Sequence, residues 1–293
     1  MQRMSALAFT LIVFSAFMHA LWNLLVKRSV HKTVFVWWMF LMSGGMLNIY
    51  ILLRPEAVPL PGMKVLLFAF GGSVCFVLYH LFNGRAYRTG DLSISYPLSQ
   101  TAMLYVPIWG AWVLSESLTP VGIAGILLVL CGAYVVQLPS LSSADILRPF
   151  RNLCNHSVQF ALAAGFVYSI GAILDKLGVM AYSPLYFTHL MVCFMFLIMT
   201  VNLLRPGYRG KVREEWRQSR RLILLSGPVM MCSFLAFRYG LQLAPVSYAV
   251  PVRQVSLLIA VIIGVFFLNE TCGRIRFTAS ILILAGVSLI RLG

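Results

Sequence analysis

The chain has 293 residues, 60% of them hydrophobic and only 11% charged, with a mean hydropathy of +0.87. Soluble domains carry about a quarter charged residues, so the composition excludes a soluble fold and describes an integral membrane protein. The formal net charge of +15 excludes nucleic acid as the natural partner, because the basic residues sit in short loops between apolar runs rather than on one soluble face; a bilayer surface accounts for them.

Apolar runs of roughly 18–24 residues recur along the chain, each long enough to cross a hydrocarbon core of about 30 Å at 1.5 Å per residue. They predict ten spans, at 5–26, 33–53, 65–84, 93–114, 119–137, 157–176, 184–204, 221–242, 246–268 and 274–291. A barrel would show alternating segments of about ten residues, whereas these unbroken runs call for helices. The expected fold is all-α, an integral membrane protein of ten transmembrane helices. The opening MQRMSALAFTLIVFSAF lacks a small-x-small cleavage site and is kept as the first span. Six scattered cysteines without a CxxC pair indicate neither a disulfide framework nor a zinc site, and no metal or cofactor is expected.

Polar residues inside these spans are costly and point to protein or water. In span 1, His19, Trp22 and Asn23 stand at i, i+3 and i+4, on one helix face. Tyr79, Asn83 and Tyr87 form another stripe at i, i+4 and i+8, running from span 3 past its end, with His80 beside it, and Tyr96 with Gln100 repeats that spacing in span 4. Asp175 closes span 6 as a coupling candidate: it could serve as a proton site, as counter-ion to Arg253 or Arg238, or as the partner of Lys176 in an interfacial ion pair. Arg238 stands a few residues from the end of span 8, where snorkelling competes with ligand contact. Arg253 is deeper, in VPVRQVSLLIAVIIG, next to Gln254 and two residues after Pro251. A lone arginine at mid-span costs about 2.5–3.5 kcal/mol on insertion scales. It must therefore find partners, either structural ones or an anionic ligand.

The loops after odd-numbered spans hold 16 Lys and Arg, including RPGYRGKVREEWRQSRR at 205–221, against five on the other side. The positive-inside rule places those basic loops in the cytoplasm and both termini outside.

Shifting the chain by 154 residues lays SISYPLSQTAMLYVPIWGAWVLSE (93–116) on SYAVPVRQVSLLIAVIIGVFFLNE (247–270). Pro97 meets Pro251, Gln100 meets Gln254 and Glu116 meets Glu270, while Arg253 meets Ser99. An offset of 149 sets FMHALWNLLVKRSV (17–30) on FVYSIGAILDKLGV (166–179), with Lys27 on Lys176. Two repeats, 1–139 and 150–293, are joined by PSLSSADILRPFRN. Each has five spans, and an odd number obliges consecutive repeats to enter the membrane in opposite senses, an inverted repeat. Glu116 and Glu270 sit at helix ends, where capping or bonding to the following helix's start gives them a structural role.

Two five-span halves, each with a helix closing on Gly-x₃-Leu-x-Glu (Gly110, Leu114, Glu116; Gly264, Leu268, Glu270) before a glycine-containing last helix, resemble the EamA-type branch of the drug/metabolite transporter superfamily. The resemblance implies a central cavity lined by spans 1, 3, 4, 6, 8 and 9, with spans 5 and 10 as peripheral packing. It also implies cytoplasmic termini, opposite to the charge count.

The expected function is secondary transport of a small polar or amphipathic metabolite, a candidate anion, across the cytoplasmic (inner) membrane by alternating access. No GxxxxGK[ST] is present, so a gradient or exchange would drive it. A flippase for a lipid-linked head group is the alternative within transport. An intramembrane enzyme would want paired carboxylates, a His-rich metal set or a nucleophile with its base, and the five histidines and eight acidic residues show no such spacing.

Overall fold

The computed structural model describes residues 4–54, 58–89, 98–136, 138, 140–143, 145–147, 155–208, 210–268 and 273–293, and among them every regular element is helical. In chain order these are α1 (Ala6–Arg28), α2 (Lys32–Leu52), α3 (Met63–Thr89), α4 (Ala102–Leu114), α5 (Pro120–Val135), α6 (His156–Ala181), α7 (Pro184–Leu203), α8 (Lys211–Leu243), α9 (Val246–Arg253), α10 (Val255–Leu268) and α11 (Arg274–Leu292). Among the described residues eight helical stretches are long and apolar enough to cross a membrane, and α4 and α5 are shorter apolar helices.

Local sequence sets the helix ends. Ser5 accepts a hydrogen bond from the Ala8 amide at 3.1 Å, Thr119 from Gly122 at 2.9 Å and Asn155 from Ser157 at 2.9 Å. Each satisfies an orphan N–H of a first turn. Pro120 and Pro184 occupy first-turn positions, where a missing N–H costs nothing.

Two expectations change. Residues 205–221 are not a loop: α8 begins at Lys211, and its first two turns are set off from the membrane-spanning part by a kink at Ser219 (φ −117°, ψ 15°). Its charged pattern hid a helix because one face is anchored. Glu215 is buried and accepts from the Val30 and His31 amides, capping α2, while Trp216 stacks on Trp38 with ring centroids 4.8 Å apart. Span 9 is not one helix either. It breaks at Gln254 into α9 and α10, with Gln254 N donating to Pro251 O at 2.9 Å. Pro251 interrupts the i→i−4 ladder, and the turn tightens to i→i−3. The first repeat tightens at the matching place, where Thr101 N donates to Leu98 O at 3.2 Å ahead of α4. Residues 93–97, including Pro97, lie outside the described residues.

The main packing pairs recur when the two halves are exchanged. α3 packs on α6 and α8 on α1; α3 packs on α7 and α8 on α2; α4 packs on α6, and α9 with α10 on α1. The pairs α5–α11, α2–α7 and α4–α9 map onto themselves. The halves therefore interlock rather than form separate lobes. Close approach is achieved with small residues and interhelical hydroxyl bonds, the usual means in lipid. A Cβ on Gly125 would stand 2.7 Å from Gly286 O, and one on Gly286 would stand 2.6 Å from Gly125 O. Ser15 Oγ donates to Ser233 O at 2.7 Å, and Ser233 Oγ returns a bond to Ser15 O at 3.1 Å. The chain ends meet, with Arg291 Nη1 donating to Met4 O at 2.6 Å.

The corner between α8 and α9 is held by two charges. Lys176 Nζ donates to Leu241 O and Ala244 O at 2.7 and 2.8 Å, at the negative end of α8. Glu116 accepts from Val246 N at 2.7 Å, Ser247 N at 3.1 Å and Ser247 Oγ at 2.6 Å, at the positive end of α9. Both placements agree with the helix dipoles. Glu116 thus caps a helix of the opposite half rather than the one that follows it, and Glu270 lies outside the described residues.

Candidate functional site

Two buried arginines organise the polar interior. Arg238, on α8, does not snorkel: its side chain and that of Asp175 are each only 2% exposed, and Nε donates to Asp175 Oδ1 at 2.7 Å. Its remaining nitrogens meet weak acceptors, Thr188 Oγ1 at 3.4 Å and Met191 Sδ at 3.0 Å, and its guanidinium lies 5.1 Å from the Phe234 ring. Asp175 therefore belongs to Arg238 and not to Lys176, and it does not form an ion pair with Arg253 among the described residues.

Arg253 ends α9 at the break, about 10 Å along the span from Val246 at 1.5 Å per residue. It is 8% exposed, and its Nε has no hydrogen-bond partner among the described residues. The guanidinium lies 4.2 Å from the Phe237 ring centroid, a cation–π contact. One terminal nitrogen is 3.2 Å from His19 Nδ1, and Trp22 Nε1 donates to that same Nδ1 at 3.1 Å. Arginine and indole nitrogens can only donate. Nδ1 is therefore an acceptor twice over, and the His19 proton resides on Nε2. Tyr168 faces the same guanidinium from α6, and the Tyr79 ring lies 5.1 Å from that of Tyr168.

Gln254 Nε2 donates to Gln100 Oε1 at 2.9 Å. These are the residues that the 154-residue offset superposes, and they bond to each other at the two helix breaks. The 149-residue offset likewise sets Tyr168 on His19, so Arg253 lies between equivalent positions of spans 1 and 6. The site stands on the line that relates the two halves.

Of the residues expected from sequence, His19, Trp22, Tyr79, Gln100, Arg253 and Gln254 converge here, and Arg238 with Asp175 forms an adjoining ion pair. Asn23 is exposed on α1 and stands outside this hydrogen-bonded cluster. Asn83 is buried with Oδ1 unpartnered, one turn from Tyr79. Tyr96 and the Tyr87 side chain lie outside what is described. Tyr168 and Phe237 were not expected. The repeat offset carried a signal for Tyr168, since it stands opposite His19, whereas Phe237 is an apolar residue among many and carried none.

A family model described as the EamA-like transporter family matches residues 6–138 and again residues 156–292. The chain belongs to the EamA-like transporter family. Two repeats of that family in one helical, multi-pass chain make it a membrane transporter rather than an enzyme. No curated protein matches it. Among solved structures 29 chains match, and one described only as "Crystal structure of protein" has a TM-score of 0.73 at 16% identity, covering 98% of this chain and 96% of the other. That likeness concerns the fold alone. In this EamA-like transporter, the groups that could engage a ligand are donors for the most part: Arg253 Nε, the His19 Nε2 proton and the Tyr168 hydroxyl. No group of three or more His, Cys, Asp or Glu able to hold a metal occurs among the described residues.

Proposed function

We propose that this EamA-like protein is a secondary transporter of the cytoplasmic membrane, moving a small polar or amphipathic metabolite with an anionic group by alternating access between two inverted five-span repeats. Ten crossings fit an even count, because the chain ends meet through Arg291 and Met4. The repeats of 1–139 and 150–293 surround a central cavity, and Arg253 is its anion anchor. One observation carries this reading: among the described residues every other buried charge meets an opposite charge or the backbone groups of a helix end, and Arg253 meets neither. Lys176 has helix carbonyls, Glu116 and Glu215 have helix amides, and Asp175 and Arg238 have each other. Arg253 holds a neutral imidazole, the Tyr168 hydroxyl and an aromatic face while its Nε stays unpaired. A buried cation of this kind is costly and is tolerated where a transient anion completes it. Asp175 is the coupling residue, since protonating it would release Arg238.

The test is uptake or counterflow in sealed proteoliposomes. Arg253→Gln should remain folded and lose transport, whereas Arg253→Lys should keep partial activity, having the charge without the forked geometry. Normal transport by Arg253→Gln would remove the arginine from the site.

A further inference from the structure

Resting on the reading of Arg253 as an anion anchor, the charge count around it narrows the ligand. The acidic residues within the spans or within two residues of their ends are Asp91, Glu116, Asp175 and Glu270. Glu116 is spent on α9 and Asp175 on Arg238. Asp91 and Glu270 lie outside the described residues. The second cation nearby, Arg238, already has its carboxylate. Among the described residues the site therefore offers one uncompensated positive charge. A monoanion would balance it; a dianion would bring a second charge into the same low-dielectric interior with no cation to meet it.

The hydrogen-bonding inventory points the same way. Both contacts at His19 Nδ1 use up its acceptor capacity and leave an N–H on Nε2, a second donor in the cluster that holds the orphaned Nε–H of Arg253. Asn83 Oδ1 is an unpartnered acceptor but carries no charge. Among the described residues no unspent carboxylate faces this cluster, so a zwitterion would bury its own cation unpaired. The walls are aromatic: Phe237 lies over the guanidinium, Tyr168 packs on Tyr79 and Phe76 with ring centroids 5.1 and 5.7 Å apart, and Trp22 is fixed edge-on to His19. Such walls suit a flat apolar body, by ring contacts and by area removed from water.

We infer that the substrate class is a monovalent carboxylate on a flat, apolar body, bound through Arg253 and His19, and not a phosphate ester, a zwitterion or an organic cation. Equilibrium binding to the purified full-length protein at pH 7.5 tests this with benzoate, acetate, phenyl phosphate, phenylalanine and benzylamine as probes. Benzoate should bind at least ten-fold more tightly than each of the other four. Its affinity should fall at least ten-fold in Arg253→Gln and two- to five-fold in Arg253→Lys, which keeps the charge and so reports on the site even if the glutamine variant does not fold. Equal or tighter binding of any other probe, no binding of benzoate, or benzoate affinity unchanged in both variants would overturn the assignment. Counterflow of the tightest-binding probe in proteoliposomes separates the two readings. Benzoate bound in this order but not carried would remove the transport function and leave the ligand class standing, while carriage of phenyl phosphate or phenylalanine in its place would do the reverse.

Discussion

A guanidinium removed from water in the middle of a helix bundle shapes its surroundings more than any apolar neighbour does, and this protein contains two such groups solved in different ways. Arg238 has a carboxylate at 2.7 Å. Removing one partner of a fully buried pair costs about 3–5 kcal/mol, because the other charge is left bare. Asp175→Asn should accordingly lower thermal stability in detergent markedly, and Arg238→Gln in the same background should recover part of the loss; additive losses in the double variant would show that the two do not interact. That Arg253 would be buried was legible from its position alone, as was the His19–Trp22 face from its i, i+3 spacing. Which arginine would take Asp175 was not. The two candidates stand 63 and 78 residues from the aspartate in sequence, and only the crossing of α6 with α8 decides between them.

At the scale of single helices, charge placement at the termini governs the result. Glu116 answers two amides and a hydroxyl at the start of α9. Hydrogen bonds to a charged group are worth about 1.5–3 kcal/mol, so Glu116→Ala should destabilise the fold by at least that amount in thermal unfolding, with Glu116→Gln milder because it keeps one acceptor. A variant as stable as the parent would show that the α8–α9 corner does not depend on this cap. The same logic explains the misread segment at 205–221. Its basic residues mark a polar connection by composition, but Glu215 turned inward onto α2 and Trp216 on Trp38 convert its second half into a helix lying against the bundle. Arg213, Glu214, Arg217 and Gln218 face outward. The positive-inside rule puts this helix in the cytoplasm, so a cysteine at Gln218 should resist membrane-impermeant thiol reagents in intact cells and react after lysis. Ready labelling in intact cells would reverse the orientation.

For the whole molecule, the repeat was the most legible feature, because Pro, Gln and Glu recurring at a fixed offset are unlike the chance matches of apolar residues. What the offset did not reveal is that the main helix pairs join one half to the other: α3 to α6, α1 to α8, α5 to α11. Neither half can cover its own apolar faces. Residues 1–139 or 150–293 expressed alone should aggregate or be degraded, while co-expression of both should restore a complex that co-purifies; a monodisperse, folded half would contradict the interlocked packing.

The bond between Gln100 and Gln254 carries one more implication. The two carboxamides, facing across a two-fold relation, share one N–H···O bond here, and that bond has a direction, with Gln254 giving and Gln100 taking. The opposite choice uses the same atom types and has the same intrinsic strength. If the halves trade conformations, this contact neither favours nor opposes the trade, and the balance between the two forms is left to residues that differ across the relation. Foremost among these is Arg253, which faces Ser99 as its counterpart. Whatever binds that arginine would then act as a small weight on an otherwise level beam.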